Sequence, residues 1–408
     1  MCFSLIVTFL LSCITTSFAD DLEEEVETDI QEVLEAASNV EEDITLNSRA
    51  AVIYDRTSGT ILYGKNENQE RPMASTTKIM TAILVIENGK LDDIVEVSKK
   101  AAGTGGSRLG LKTKDKISVK DLLYGLLLVS GNDAAVALAE YMGGDIEGFA
   151  TLMNQKALEL GLTHTHFVTP HGLDQKEHYT TAYELAKLAD YAMNNETFAG
   201  IVGTKYYTVT MGGRTKSLSN TNELLGNLEG VNGVKTGFTN GANRCLVTSV
   251  KRGNMNIITV VLGADTKTMR TQDSVKLIEY AYQNYTMIDL KEKVEEAFSQ
   301  WKENNLPTIL IEKGKSNLQI SLQEKKNYQY PIRKKNVEDI EIIIDNEEYL
   351  MAPIAKGTKI GTLKVLVNEK ELFCIPLLVD NEIKKKRPLD YLYEIIANYP
   401  DLLKSAIN

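Results

Sequence analysis

Cysteine is scarce in this chain: four occur in 408 residues, and two of them, Cys2 and Cys13, lie at the extreme amino terminus. Loss of that terminus leaves Cys245 and Cys374, far apart in sequence, so no disulfide scaffold is expected. Each reads as a small buried apolar residue rather than a nucleophile. Histidine is as sparse. All four fall in residues 164–178 around the turn Pro170-His171-Gly172, with no H-E-x-x-H and no cysteine pair. Zinc ligation is therefore not the expected role, and no cofactor is called for. Basic charge is in deficit, with 45 Lys and Arg against 56 Asp and Glu and a net charge of -11. That balance argues against nucleic acid as a partner but leaves room for a polymer of mixed charge. The G-x-x-x-x-G-K-[ST] pattern is missing, so Gly103-Thr104-Gly105-Gly106-Ser107 resembles a phosphate cradle in composition alone. It reads as a tightly turned or mobile surface loop. Long apolar runs are missing too. The run at residues 3–11 is too short for a comfortable membrane span.

What stands at the amino terminus fits an export signal. Residues 1–19 close on Ser17-Phe18-Ala19, a small-residue ending suited to signal-peptidase cleavage, although no Lys or Arg precedes the apolar run. A lipid-carrying Cys13 within Leu10-Leu11-Ser12-Cys13, and a retained anchor, stand as alternatives. Residues 20–46 are an acidic leader that reads as a solvated segment or loose helix.

Hydrophobic residues make up 43% of the chain, enough for a packed core. Strands are expected at residues 49–55 and 60–63, then at 205–211, 215–218, 234–239, 245–250 and 257–262. Helices are expected between and after them: 71–87, from Ser118 to Leu128, 133–141, 149–161, 180–193 and 270–285. Strands from both ends of the region enclose the helices. The fold class is therefore α/β (α+β), an antiparallel sheet flanked by helices with an inserted, mainly helical subdomain. The domain is expected to span residues 47–287. Residues 288–380 read as a small all-β domain with a spacer or binding role, built from strand-like pieces such as 318–322, 340–344 and 362–367. Residues 381–408 open with Lys384-Lys385-Lys386-Arg387 and continue as an amphipathic segment. An anionic membrane surface and docking on its own protein are both open for it.

Chemistry enters with Ser75-Thr76-Thr77-Lys78, at the start of the helix over residues 71–87. Positions three apart share a helix face, which sets Lys78 beside Ser75. A serine becomes a nucleophile when a base takes its proton, and an amine of lowered pKa can do so. Alone the motif is weak, since exposed lysines on surface helices are common. Two more motifs follow in order, Ser130-Gly131-Asn132 in a loop between helices and Lys235-Thr236-Gly237 on a strand. The ordered set of three is a strong signal.

These motifs resemble those of the serine D-alanyl-D-alanine carboxypeptidases, the low-molecular-weight penicillin-binding proteins of peptidase family S11. Residues 72–80 (PMASTTKIM), 122–135 (LLYGLLLVSGNDAA), 231–246 (VNGVKTGFTNGANRCL), Met153-Asn154 and Asn220-Thr221-Asn222 all fit the pattern. So do Thr165-His166-Phe167 and Pro170-His171-Gly172-Leu173, which makes those histidines family structure. The resemblance runs from about Ser48 to Tyr285 and more loosely through the β-rich region.

The resemblance implies a serine β-lactamase/penicillin-binding-protein fold. It also implies removal of the terminal D-alanine of peptidoglycan stem peptides through an acyl-enzyme. Ser75 would be the nucleophile, Lys78 its base and Ser130 a proton relay to the leaving amine. Asn132, Lys235, Thr236, Gly237 and Phe238 would bind substrate, with the N–H groups of Ser75 and Phe238 as the oxyanion hole. β-Lactam antibiotics would acylate Ser75. The resemblance places the protein outside the cytoplasm, at the outer face of the membrane. Thr76 and Phe238 depart from the family's commoner Leu and His or Tyr. D,D-endopeptidase and transpeptidase activities use the same acyl-enzyme and stand as alternatives. A class A β-lactamase would need E-x-x-L-N, where this chain has Glu184-Leu185-Ala186-Lys187.

Overall fold

The computed structural model describes residues 30–37 and 44–398. The export segment and its Cys13 alternative, most of the acidic leader and the last ten residues lie outside the described residues. The chain forms two compact units, Met1–Tyr282 and Gln283–Asn408.

The first unit is built on a five-stranded antiparallel sheet. Its strands are β1 (Ala50–Asp55), β2 (Ile61–Lys65), β3 (Val231–Thr239), β4 (Asn243–Arg252) and β5 (Met255–Ala264), in the order β2-β1-β5-β4-β3. β1 pairs with β5 from Ala50↔Leu262 to Asp55↔Ile257, so distant parts of the chain close the sheet. Every residue of β1 is buried, because both sheet faces are covered. Ala50, Val52 and Tyr54 point into the core shared with the helical insertion. On the other face Ile53 stands opposite Tyr63, which meets the ring of Tyr280. β3 is an edge strand, and an edge leaves alternate backbone groups without a partner in the sheet.

The insertion supplies α1 (Lys78–Asn88), α2 (Val119–Leu128), α3 (Asn132–Gly143), α4 (Ile146–Glu159), α5 (Ala182–Met193) and α6 (Glu196–Val202); α7 (Lys267–Asn284) follows the sheet. Short polar side chains start several of them. Ser118 accepts from Asp121 N–H, Asp145 from Gly148 N–H and Thr181 from Glu184 N–H. α1 is buried all round from Lys78 to Val85, as suits a helix through the middle of a core. Ser75 is not part of it: residues Ala74–Thr77 form a 3-10 turn that leads into α1.

The second unit holds a four-stranded sheet ordered Ile320–Leu322, Lys370–Val379, Lys359–Val367, Ile340–Asn346. The small β domain is present as expected, and one helix, α8 (Lys291–Asn305), follows the strand Tyr285–Asp289 and buries Val294, Phe298 and Trp301. Cys374 is exposed rather than buried. Alternation along its strand turns Phe373 and Ile375 into the core and the cysteine outward. The last described element is α9 (Pro388–Asn398).

Candidate active site

Three segments converge at the turn before α1. The turn itself is held by its threonines: Thr76 Oγ1 donates to Met73 O (2.6 Å) and Thr77 Oγ1 to Ala74 O (2.8 Å). Ala74 sits at φ 48°, a left-handed conformation that costs a non-glycine residue about 1–3 kcal/mol. The surrounding packing leaves Ser75 half-buried and Lys78 fully buried beneath it.

Lys78 Nζ lies 2.7 Å from Ser75 Oγ, 2.7 Å from Asn132 Oδ1 and 2.8 Å from the His171 carbonyl oxygen. Asn132 Nδ2 donates to Gly105 O at 2.9 Å, which fixes its Oδ1 toward the lysine. The carbonyl of His171 and the Oδ1 of Asn132 can only accept. An uncharged amine has two hydrogens for those two acceptors, and its lone pair is then left for the hydroxyl of Ser75. Full burial favours that uncharged form.

Ser130 is buried, with φ 59°, and its Oγ has no hydrogen-bond partner among the described residues. Asp133, next to Asn132, takes the N–H groups of Leu109, Gly110 and Leu111 at 2.7–2.9 Å. That carboxylate binds the segment just after the glycine-rich loop to the start of α3, while Ser107 O, in the loop, accepts from Asn132 N–H at 2.7 Å. The loop is thus a wall of the site as well as a surface feature.

Strand β3 closes the opposite side. An added Cβ at Gly237 would lie 3.1 Å from the backbone nitrogens of Ser75 and Thr76, so the strand touches the nucleophile turn. Lys235 is buried and donates to Thr236 O at 2.9 Å. Thr236 Oγ1 is 2.7 Å from Thr221 Oγ1. The half-buried Phe238 is covered by the guanidinium of Arg244, 3.8 Å from its ring centre and opposite it on β4.

Hydrogen bonds join Ser75, Lys78 and Asn132, and Gly237 packs against the Ser75 turn; Ser130, Lys235, Thr236 and Phe238 lie within two residues of these along the chain. Sequence reasoning missed the carbonyl of His171, which carries no side-chain signature. Thr221 was visible only as part of Asn220-Thr221-Asn222. Asp174 was also missed. It accepts from Thr239 Oγ1 (2.5 Å) and Gly241 N–H (2.8 Å), tying the loop after His171 to the end of β3. Gly172 is required between them, because at φ 86° a Cβ would fall 1.9 Å from Ala74 O.

The histidines serve the scaffold. His178 Nδ1 accepts from Val168 N–H, so its Nε2 donates to Thr77 Oγ1 at 2.7 Å. Burial, with His166 nearby, pushes its imidazole down to about 4. Burial pushes His171 down to about 3. His164 meets Glu70 at the surface. No group of three His, Cys, Asp or Glu that could hold a metal occurs among the described residues.

Comparison with known proteins gives one family. The D-alanyl-D-alanine carboxypeptidase family (peptidase S11) matches residues 36–266, and the penicillin-binding protein 5 C-terminal domain matches residues 302–385. The chain is 34% identical over 360 residues to D-alanyl-D-alanine carboxypeptidase DacF of Bacillus subtilis, spanning 86% of this chain and 90% of that one. Penicillin binding protein 5 of Haemophilus influenzae superposes with a TM-score of 0.70 at 28% identity, over 85% of this chain and 100% of that one. The Streptomyces K15 DD-transpeptidase superposes at 0.58 with 36% identity, over 60% of this chain and all of that one.

Proposed function

The chain belongs to the D-alanyl-D-alanine carboxypeptidase family, peptidase S11, and from that premise we propose how its residues divide the reaction. It is a serine-type D-alanyl-D-alanine carboxypeptidase acting on peptidoglycan, in a family that binds β-lactams. Ser75 gives its proton to the Lys78 amine as its Oγ attacks the carbonyl carbon of the penultimate D-alanine. The single observation that carries this assignment is the 2.7 Å contact between Lys78 Nζ and Ser75 Oγ, with two acceptor-only oxygens taking the amine's hydrogens.

The backbone N–H groups of Ser75 and Phe238 hold the developing oxyanion, a term whose removal costs about 10²–10³ in rate where one donor is lost. The buried hydroxyl of Ser130 passes a proton to the leaving D-alanine nitrogen. Lys235 and Thr236, the latter braced by Thr221, take the terminal carboxylate. Asn132 aligns Lys78 and the acyl-chain amide. Water then cleaves the ester at Ser75. A β-lactam enters the same sequence and stays as the acyl group.

A second reading replaces water by an amine. It is favoured by the similarity to a Streptomyces K15 protein described as a DD-transpeptidase. A D,D-endopeptidase differs only in its leaving amine. The deciding test incubates the protein with a pentapeptide ending in D-Ala-D-Ala, with and without an acceptor amine, and counts free D-alanine and amide product. D-alanine release without acceptor, abolished by Ser75→Ala, supports the hydrolase; product formed only with acceptor overturns it.

The protein acts outside the cytoplasm, and its carboxyl end holds it to the membrane face. Leu389, Leu392, Tyr393 and Ile395 of α9 are each more than half exposed, behind the basic run at residues 384–387. Such a face binds an anionic surface by apolar insertion plus charge. Among the described residues no helix is long and apolar enough to cross a membrane. Vesicles rich in anionic lipid should retain the full chain, and neutral vesicles should retain far less. Equal retention by both would remove the charge from this account.

A further inference from the structure

The acidic balance of the chain hides a reversal of sign beside the cleft. Residues 98–120 contain seven Lys or Arg and one Asp, and residues 203–219 contain three Lys or Arg and no Asp or Glu. The whole chain carries a net charge of -11. The single acid, Asp115, is occupied: it pairs with Arg214 at 2.5 Å and accepts from Lys112 N–H. Lys112, Lys114, Lys116 and Lys205 are exposed. Two acids face this body from outside the two segments: Glu96 stands opposite Lys116, and Asp121 accepts from Thr210 N–H and the Tyr207 hydroxyl.

The two basic segments form one body. Gly212 N–H donates to Lys116 O, and Lys216 Nζ donates to Leu109 O at 2.7 Å. The body reaches the catalytic groups at two points. Gly105 O accepts from Asn132 Nδ2 in one segment. In the other, Asn220 N–H donates to Lys205 O, one residue before the Thr221 that holds Thr236. Tyr206 lies at that second point and is 67% exposed, the one aromatic among the large exposed apolar side chains described in this unit. Exposed aromatic faces suit sugar rings as well as apolar surfaces. Lys205 stands 5.9 Å over the Tyr206 ring and Lys116 meets the hairpin at its opposite end, so the cations run along it, an arrangement that favours an acidic polymer over a single stem peptide.

We infer that this surface is a docking track for the peptidoglycan strand itself, binding the carboxylates of stems next to the one being trimmed. The inference rests on the carboxypeptidase reading and extends it: the preferred substrate is polymeric, anionic peptidoglycan rather than an isolated stem peptide. The track raises local substrate concentration without touching the reacting bond. It should therefore change KM on polymer, and its strength should fall with salt as exposed charges are screened beyond about 10 Å at 0.1 M.

The test uses the full chain and the variant Lys112→Glu/Lys114→Glu/Lys205→Glu. Each is assayed for D-alanine release from two substrates: a short acylated peptide whose only charge is the terminal carboxylate of its D-Ala-D-Ala end, and sacculi stripped of phosphate-bearing polymers by acid. Binding to the sacculi is followed by sedimentation. The wild type should bind stripped sacculi, and the three reversals should weaken that binding about ten- to hundredfold. Short-peptide turnover and penicillin labelling should stay within about twofold. In the wild type, salt should depress activity on sacculi and spare the short peptide. Equal binding and turnover on sacculi by variant and wild type would overturn the inference. So would salt-independent activity on sacculi, or binding only to sacculi that retain phosphate polymers. Failure of the wild type on the short peptide would instead count against the carboxypeptidase reading. If the variant misfolds, its short-peptide turnover reports it and the wild-type salt comparison decides.

Discussion

Gly237→Ala isolates the contact between the third motif and the nucleophile. A methyl there would lie 3.1 Å from Ser75 N, 3.1 Å from Thr76 N and 3.2 Å from Ala74 Cβ. Non-bonded carbon prefers about 3.5–4.0 Å, so strand or turn must yield by about 0.4 Å. A full 1 Å misplacement of catalytic groups costs about 10²-fold, which makes the shift alone worth about tenfold at most. The same shift moves the Ser75 N–H relative to the oxyanion it would hold in the proposed mechanism. Losing one such donor costs about 10²–10³ in rate. Acylation by a fluorescent penicillin, followed as kinact/KI, should fall by about 10²-fold. The fold should survive, because alanine in place of glycine within a strand recovers about 0.5–1 kcal/mol of backbone entropy and Gly237 has no left-handed φ. Thermal unfolding should therefore move by only a few degrees. Gly172→Ala is the contrast: its Cβ would strike Ala74 O at 1.9 Å from a left-handed backbone, so both stability and labelling should collapse. A Gly237→Ala protein that acylates within twofold of wild type would refute the reasoning that the strand edge forms half of the oxyanion hole.

Asn132→Asp places a carboxylate against Lys78 Nζ and favours the ammonium form, so acylation should set in at higher pH than in wild type; an unchanged pH–rate profile would contradict the lysine's role as base. Asp174→Ala removes two hydrogen bonds between the His171 loop and the end of β3, and chemical denaturation should show about 1–3 kcal/mol of lost stability. His171 and His178 are held neutral at about 3 and about 4, below their ordinary 6.5. Between about pH 4 and 6.5 the unfolded chain binds more protons, so stability is full above 6.5 and falls with pH by about 1.4 kcal/mol per unit for each histidine. His178→Gln should flatten that slope by about one proton in denaturation midpoints measured at pH 5 and pH 6; an unaltered slope would show that His178 titrates normally.

The site was legible where function resides in side chains at fixed spacing. Ser75 and Lys78 are three residues apart, and Ser130, Asn132 and Lys235 stand in compact motifs. What the sequence hid is what the backbone does. The carbonyl of His171 that shares Lys78 is independent of residue type, and Asp174 acts across 65 residues on Thr239. The 3-10 turn at Ser75 was hidden as well, since threonine side chains bonding back to the chain decide it. The main sheet was readable from apolar strands at both ends of the domain. The helix Lys291–Asn305 was not, although Val294, Phe298 and Trp301 recur at helical spacing. Its charged surroundings masked a three-residue apolar stripe.

The most direct test of the central claim is the intact mass of the protein after exposure to benzylpenicillin, followed by peptide mapping. The account predicts one covalent adduct per chain, on the peptide containing Ser75, absent from Ser75→Ala and slowed severely by Asn132→Asp at neutral pH. An adduct mapped to another residue, or one persisting in Ser75→Ala, would contradict it.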